Sequence, residues 1–141
     1  MTQPAQHFAH GPVSRSIRLR PRASAPRLAR RLVHDLCGQV GVAERVSEDA
    51  AQIVDELVTS SIRQARTQVD VYVLCSEAEV TLRVQDTSTQ APLMGERGQN
   101  AARGWDVVRR LSTTWGYCNR DNGRELWASL CANRSVEQLH L

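Results

Sequence analysis

The chain has no lysine: all 18 of its basic residues are arginine. That absence excludes P-loop NTPases, whose lysine reaches the β- and γ-phosphates, and eukaryotic-type protein kinases, which need a strand lysine. Schiff-base chemistry through a side-chain amine goes with them. Cysteine is sparse and scattered. Cys37, Cys75, Cys118 and Cys131 form no C-x-x-C pair, whereas structural zinc wants ligands about two to four residues apart. The expectation is buried free thiols in a reducing compartment. His7, His10, His34 and His140 are equally unclustered. No apolar run approaches the roughly 18 residues of a membrane helix, and the first residues lack the basic start and apolar core of a secretory signal. The expected location is the cytoplasm. Aromatic residues make up 4%, and only Phe8 lies in the arginine-rich N-terminal segment. A net charge of +3 does not by itself imply a nucleic-acid partner.

What is present is ordinary globular composition, 41% hydrophobic and 23% charged over 141 residues, enough for one core. Residues 1–12 read as a loose leader, 13–131 as one domain and 132–141 as a tail. Val13 to Arg20 has a strand-like alternation that Pro21 ends. Pro26 suits the first turn of a helix whose apolar stripe is Leu28, Ala29, Leu32, Val33 and Leu36, closed by Gly38 and Gly41. A longer helix is expected from Ser47 as N-cap, with Ile53, Val54, Leu57, Val58, Ile62 and Ala65 buried. Asp70–Ser76 and Glu79–Val84 read as a hairpin turning at Glu77 and Ala78. Thr87–Ala102 reads as a loop, followed by a helix from about Trp105 to Leu111. Two last strands flank the turn Asn119–Gly123. No internal repeat occurs. Two adjacent strand pairs among helices predict a two-layer α+β sandwich, its sheet antiparallel or mixed with helices on one face.

Within the long helix, Glu56 and Ser60 are four apart and share one face, and Gln64 continues the line. The run Asp55-Glu56-Leu57-Val58-Thr59-Ser60-Ser61-Ile62-Arg63-Gln64-Ala65 resembles the N-box of the GHKL ATPases, in the form found in bacterial anti-sigma-factor serine kinases. In that family the Glu is the general base and an Asn at the Ser60 position ligates Mg²⁺. Ser60 is shorter and reaches such an ion only through water.

Three further stretches carry the same resemblance. Val84-Gln85-Asp86 resembles the G1 box, whose Asp accepts a hydrogen bond from the adenine amino group; an ionised carboxylate can only accept, which selects an amino-bearing edge. Ser88 and Gln90 stand where the family has glycines. Ala102-Arg103-Gly104-Trp105 resembles a phosphate-binding helix start, where free N–H groups meet anionic oxygens; Arg97 or Arg103 could also meet phosphate charge. Thr114-Trp115-Gly116-Tyr117 and Gly123-Arg124-Glu125-Leu126-Trp127 resemble the closing hairpin, with both tryptophans expected in the core. Glu125 replaces a Thr that often lies near the nucleotide.

The resemblance implies a Bergerat-like ATP-binding fold and sequestration of a sigma factor, exchanged for an antagonist protein. It implies ATP and Mg²⁺ as cofactors, cofactor-binding positions Ser60, Asp86, Arg103 and Gly104, and a homodimer. With the departures at Ser60, Ser88, Gln90 and Ala102, the first reading is a regulatory binding module whose nucleotide binding is weakened or lost. Arg27, Arg30 and Arg31 are its expected face for an acidic partner. The alternative is an active ATP- and Mg²⁺-dependent serine kinase acting on the antagonist, with Glu56 as base. Nucleic-acid binding through the N-terminal arginines ranks last, for want of interleaved aromatics or a reading motif.

Overall fold

The computed structural model describes residues 11–92 and 99–132, with backbone alone over 99–104. Five strands and three helices follow in the order β1 (Val13–Leu19), α1 (Ala25–Val40), α2 (Glu44–Ala65), β2 (Val69–Cys75), β3 (Glu79–Asp86), α3 (Gln99–Leu111), β4 (Thr114–Arg120) and β5 (Gly123–Cys131). They build one sheet in the order β1-β2-β3-β5-β4, every neighbouring pair antiparallel. This is the expected α+β architecture, with the sheet wholly antiparallel rather than mixed.

Strand alternation decides which face is covered. Val69, Val71, Val73 and Cys75 of β2 are buried, while Asp70, Tyr72 and Leu74 are half exposed. The register aligns Ile17, Val71, Val84 and Leu126 in one apolar row across four strands. α1 lies over β1 and β2, α2 over β2, β3 and β5, and α3 against α2 and β4. Leu32, Val33 and Leu36 of α1 and Ile53, Val54, Leu57 and Val58 of α2 fill the layer between. Each such side chain contributes about 1.5–3 kcal/mol on burial. The other face of the sheet is open and polar: Arg18 pairs with Asp70 at 2.8 Å, Gln85 donates to Glu125 at 2.8 Å and Ser129 to Glu79 at 2.9 Å.

Several boundaries differ from expectation for identifiable reasons. α1 runs through Gly38 and stops at Gly41, whose φ of 75° is the left-handed C-cap conformation that glycine adopts without strain. α2 starts at Glu44, because the hydroxyl of Ser47 is engaged by His34 Nδ1 at 2.8 Å instead of capping the backbone. α3 starts at Gln99, not near Trp105. Trp115 packs on the core as expected, but Trp127 lies on the open face, its ring 2.9 Å from where a Cβ on Gly116 would stand. The hairpin at Glu77 and Ala78 is present, held by the hydroxyl of Ser76, which accepts from the N–H groups of Ala78 and Glu79. Of the leader and tail, 1–10 and 133–141 lie outside the described residues.

Candidate functional site

α2 aligns Glu56, Ser60 and Gln64 along one half-buried line at its edge. Burial, then the adjacent charge of Asp55, hold the Glu56 carboxyl above the ordinary glutamate range, with Arg63 opposing. Gln64 Nε2 donates to the carbonyl of Ala91 at 2.9 Å, tying α2 to the segment that follows β3. Among the described residues no three His, Cys, Asp or Glu side chains cluster in a way that could hold a metal ion.

β3 ends at Asp86, and here the structure adds what the sequence reading missed. Arg124, the second residue of β5, sits directly opposite Asp86 in the sheet register. Its Nε donates to both carboxylate oxygens, at 3.1 and 3.0 Å, and neither side chain has any exposed surface. Ser88 N–H donates to the same carboxylate at 2.9 Å, and Arg124 Nη1 donates to the carbonyl of Gln90 at 3.1 Å. One arginine thus closes the carboxylate and pins the loop behind it. Gly123 permits the approach: a Cβ there would stand 1.9 Å from the carbonyl oxygen of Asp86.

This geometry decides whether adenine fits. An exocyclic amino group would bind Asp86 by donating to its carboxylate, and the guanidinium already supplies that donor from inside the chain. The residues present do not fit an adenine ring unless Arg124 leaves, which would strand a buried charge. The signal was in the strand pattern. Arg124, Leu126, Ala128, Leu130 and Val80, Leu82, Val84, Asp86 are the two inward-facing stripes, and each ends in a charge of opposite sign.

Among the described residues the buried side-chain atoms without a hydrogen-bond partner are Ser61 Oγ, Gln64 Oε1, Trp105 Nε1 and Arg124 Nη2. They come from α2, α3 and β5, the elements that frame the loop after β3. Trp105 is buried and tilts against Trp115 at 5.5 Å between ring centroids. Arg103 and Gly104 fall inside α3, not at its first turn, and their side-chain surroundings, like all of Arg97, lie outside the described residues. Glu125 points to the open face, accepting from Gln85 and from Arg120 at 3.5 Å, so its charge is turned away from the Asp86 pocket.

No family model and no curated protein matches the chain. Among solved structures it is similar to the RsbU and RsbW domains of Rv1364c from Mycobacterium tuberculosis. The TM-score is 0.65 at 14% identity, over 84% of this chain and 32% of that one. The likeness shows the fold. The chain spans about a third of the length of that neighbour.

The expected partner face divides. Arg30 turns inward and pairs with Asp55 of α2, which also accepts from Thr59. Arg27 and Arg31, one turn apart on α1, remain exposed, with Leu28 between them 43% exposed. Beside them lies a cavity of about 220 Å³ whose lining includes Arg20, Arg22 and Leu28. No helix of the described residues is long and apolar enough to cross a membrane.

Proposed function

We propose that the chain is an anti-sigma-factor-like regulatory module that acts by binding proteins, its nucleotide site closed from within. The observation that carries this reading is the Arg124 guanidinium on Asp86. A site selected for adenine keeps that carboxylate available, whereas here a buried, hydrogen-bonded ion pair fills it. The fold shared with the RsbW-containing neighbour and the N-box and hairpin resemblances support a sigma factor or its antagonist as the partner class, in cytoplasmic transcription control.

The surface suited to that task is the exposed run Arg27, Leu28 and Arg31 with Arg20 and Arg22 beside it. Two spaced cations around one apolar residue match an acidic surface with an apolar anchor. Exchange of Arg27→Glu with Arg31→Glu is expected to slow association with the cognate sigma factor at least tenfold at low salt and to flatten its salt dependence. Surface plasmon resonance in nucleotide-free buffer measures both. Unchanged association by a folded double variant contradicts this face. Association that appears only when ATP is added contradicts the closed site.

A second reading, an ATP- and Mg²⁺-dependent serine kinase, has one observation in its favour: Glu56 is half buried with raised proton affinity, as a general base requires. Phosphoryl transfer also needs metal-neutralised phosphate charge, and Ser60 supplies no more than a short hydroxyl to that end. Radiolabelled phosphate transfer to a partner, abolished by Glu56→Gln, would establish the kinase instead.

A further inference from the structure

Two of the four cysteines meet inside the fold. Cys37 on the inner face of α1 and Cys75 at the end of β2 place their sulfur atoms 3.4 Å apart, and both are fully buried. They are 38 residues apart in sequence and belong to different layers, so the contact joins helix to sheet. Cys118 is exposed and Cys131 half exposed, both on the opposite, open face of the sheet.

Ser47, buried on α2, shares a 2.8 Å hydrogen bond with His34 Nδ1. His34 itself is exposed on α1. The two thiols are inequivalent. The contact with Cys75 favours the Cys37 thiolate against the opposing effect of burial, whereas the contact with Cys37 and burial push Cys75 up.

We propose that Cys37 and Cys75 are a reversible dithiol–disulfide site, oxidised by hydrogen peroxide, that staples α1 to the sheet. Cys37 gives up its proton, and its thiolate attacks one oxygen of the peroxide. The O–O bond breaks, the departing hydroxide takes up a proton as water, and Cys37 becomes a sulfenic acid. The Cys75 sulfur then attacks Cys37 Sγ and expels a second water as the S–S bond forms. Two thiols lose two electrons and two protons, and one peroxide becomes two waters. A neighbouring thiol in contact outcompetes further oxidation, and the sulfur separation leaves a short closure to the bonded distance of about 2.05 Å. The oxidant enters by local opening of α1, so the reaction is slower than at an exposed thiol.

The test uses the full chain with Cys118→Ser and Cys131→Ser, so that only the buried pair can react. Treatment with hydrogen peroxide is expected to abolish both free thiols and yield, on non-reducing peptide mapping, one cross-linked peptide containing Cys37 and Cys75. Dithiothreitol restores both thiols. Closing a loop of this length lowers the unfolding constant on the order of several hundredfold, read as a higher midpoint in urea. With Cys75→Ala added, the reaction stops at a Cys37 sulfenic acid that dimedone captures. Two results overturn the proposal: a folded, peroxide-treated protein in which both thiols survive, or one in which Cys37 proceeds to sulfinic acid while Cys75 remains a thiol. Because the cross-link is read with both cysteines in place, a Cys75→Ala chain that fails to fold leaves the first measurement decisive.

Discussion

At Asp86 the carboxylate is held by a side chain of the neighbouring strand. A lone aspartate ending a strand invites a turn or an adenine contact, and both readings assume its oxygens face solvent or ligand. Here they face Arg124, and the pair is dry. Burial makes the two charges interdependent, which gives a sharp expectation. Arg124→Met should cost about 3–5 kcal/mol because Asp86 is left buried and unpaired. Joining Asp86→Leu to it should recover most of that loss, since two apolar groups replace two charges. Urea denaturation of the two single variants and the double reads the coupling directly; additive losses contradict the paired account. Glu56 behaves differently, being half buried and without a cation that fully offsets Asp55. Its folded proton affinity is raised, so it binds protons more tightly folded than unfolded. The stability linked to it is present below the unfolded value of about 4.3 and is lost as pH rises through the higher folded value. Glu56→Gln is therefore expected to raise the midpoint of thermal unfolding at pH 7 and to leave it unchanged at pH 3.5. A destabilised Glu56→Gln at neutral pH would mean the carboxylate is held by a favourable contact.

Among the elements, β3 and β5 carry the site because their last inward-facing positions coincide. That coincidence depends on Gly123, where any Cβ would meet the Asp86 carbonyl oxygen and the Thr87 Cα. Gly123→Ala is expected to cost about 3 kcal/mol, the upper end for overpacking, and to loosen the Asp86–Arg124 contact with it. Hydrogen exchange at the N–H groups of Ser88 and Gln90 would report that loosening, and unchanged protection there would contradict it. The helices and strands themselves were legible in the sequence, since Val69 to Cys75 and Ile53 to Val58 show clean periods of two and 3.6. Boundaries were less so. Ser47 looks like an N-cap, but a cap depends on which partner takes the hydroxyl, and His34 of a different helix takes it. Arg30 likewise looks solvated on α1 until α2 brings Asp55 to it. The line Glu56, Ser60 and Gln64 could be read from spacing alone, because it lies within one helix. The Asp86–Arg124 and Cys37–Cys75 pairs could not, because each needs the sheet register or the layer stacking to bring distant residues together.

At the scale of the whole molecule, the arrangement is a two-layer fold with one covered face, an open polar sheet face and a basic edge at β1 and α1. The fold is shared with a domain pair in which an RsbW unit is one part, over 84% of this chain. Within it Ser60 presents a short hydroxyl on α2, Ser88 and Gln90 follow β3, and Arg124 occupies the Asp86 carboxylate. The surface at Arg27, Leu28 and Arg31 is exposed on α1, apart from the Asp86–Arg124 pair at the ends of β3 and β5. The most direct test of the closed site is calorimetric titration of the unmodified chain with ATP, with and without Mg²⁺. The account predicts no saturable binding tighter than about 1 mM, equivalent to roughly −4 kcal/mol, and no change on adding Mg²⁺. Micromolar ATP binding that discriminates against GTP and is lost in Asp86→Ala would contradict it.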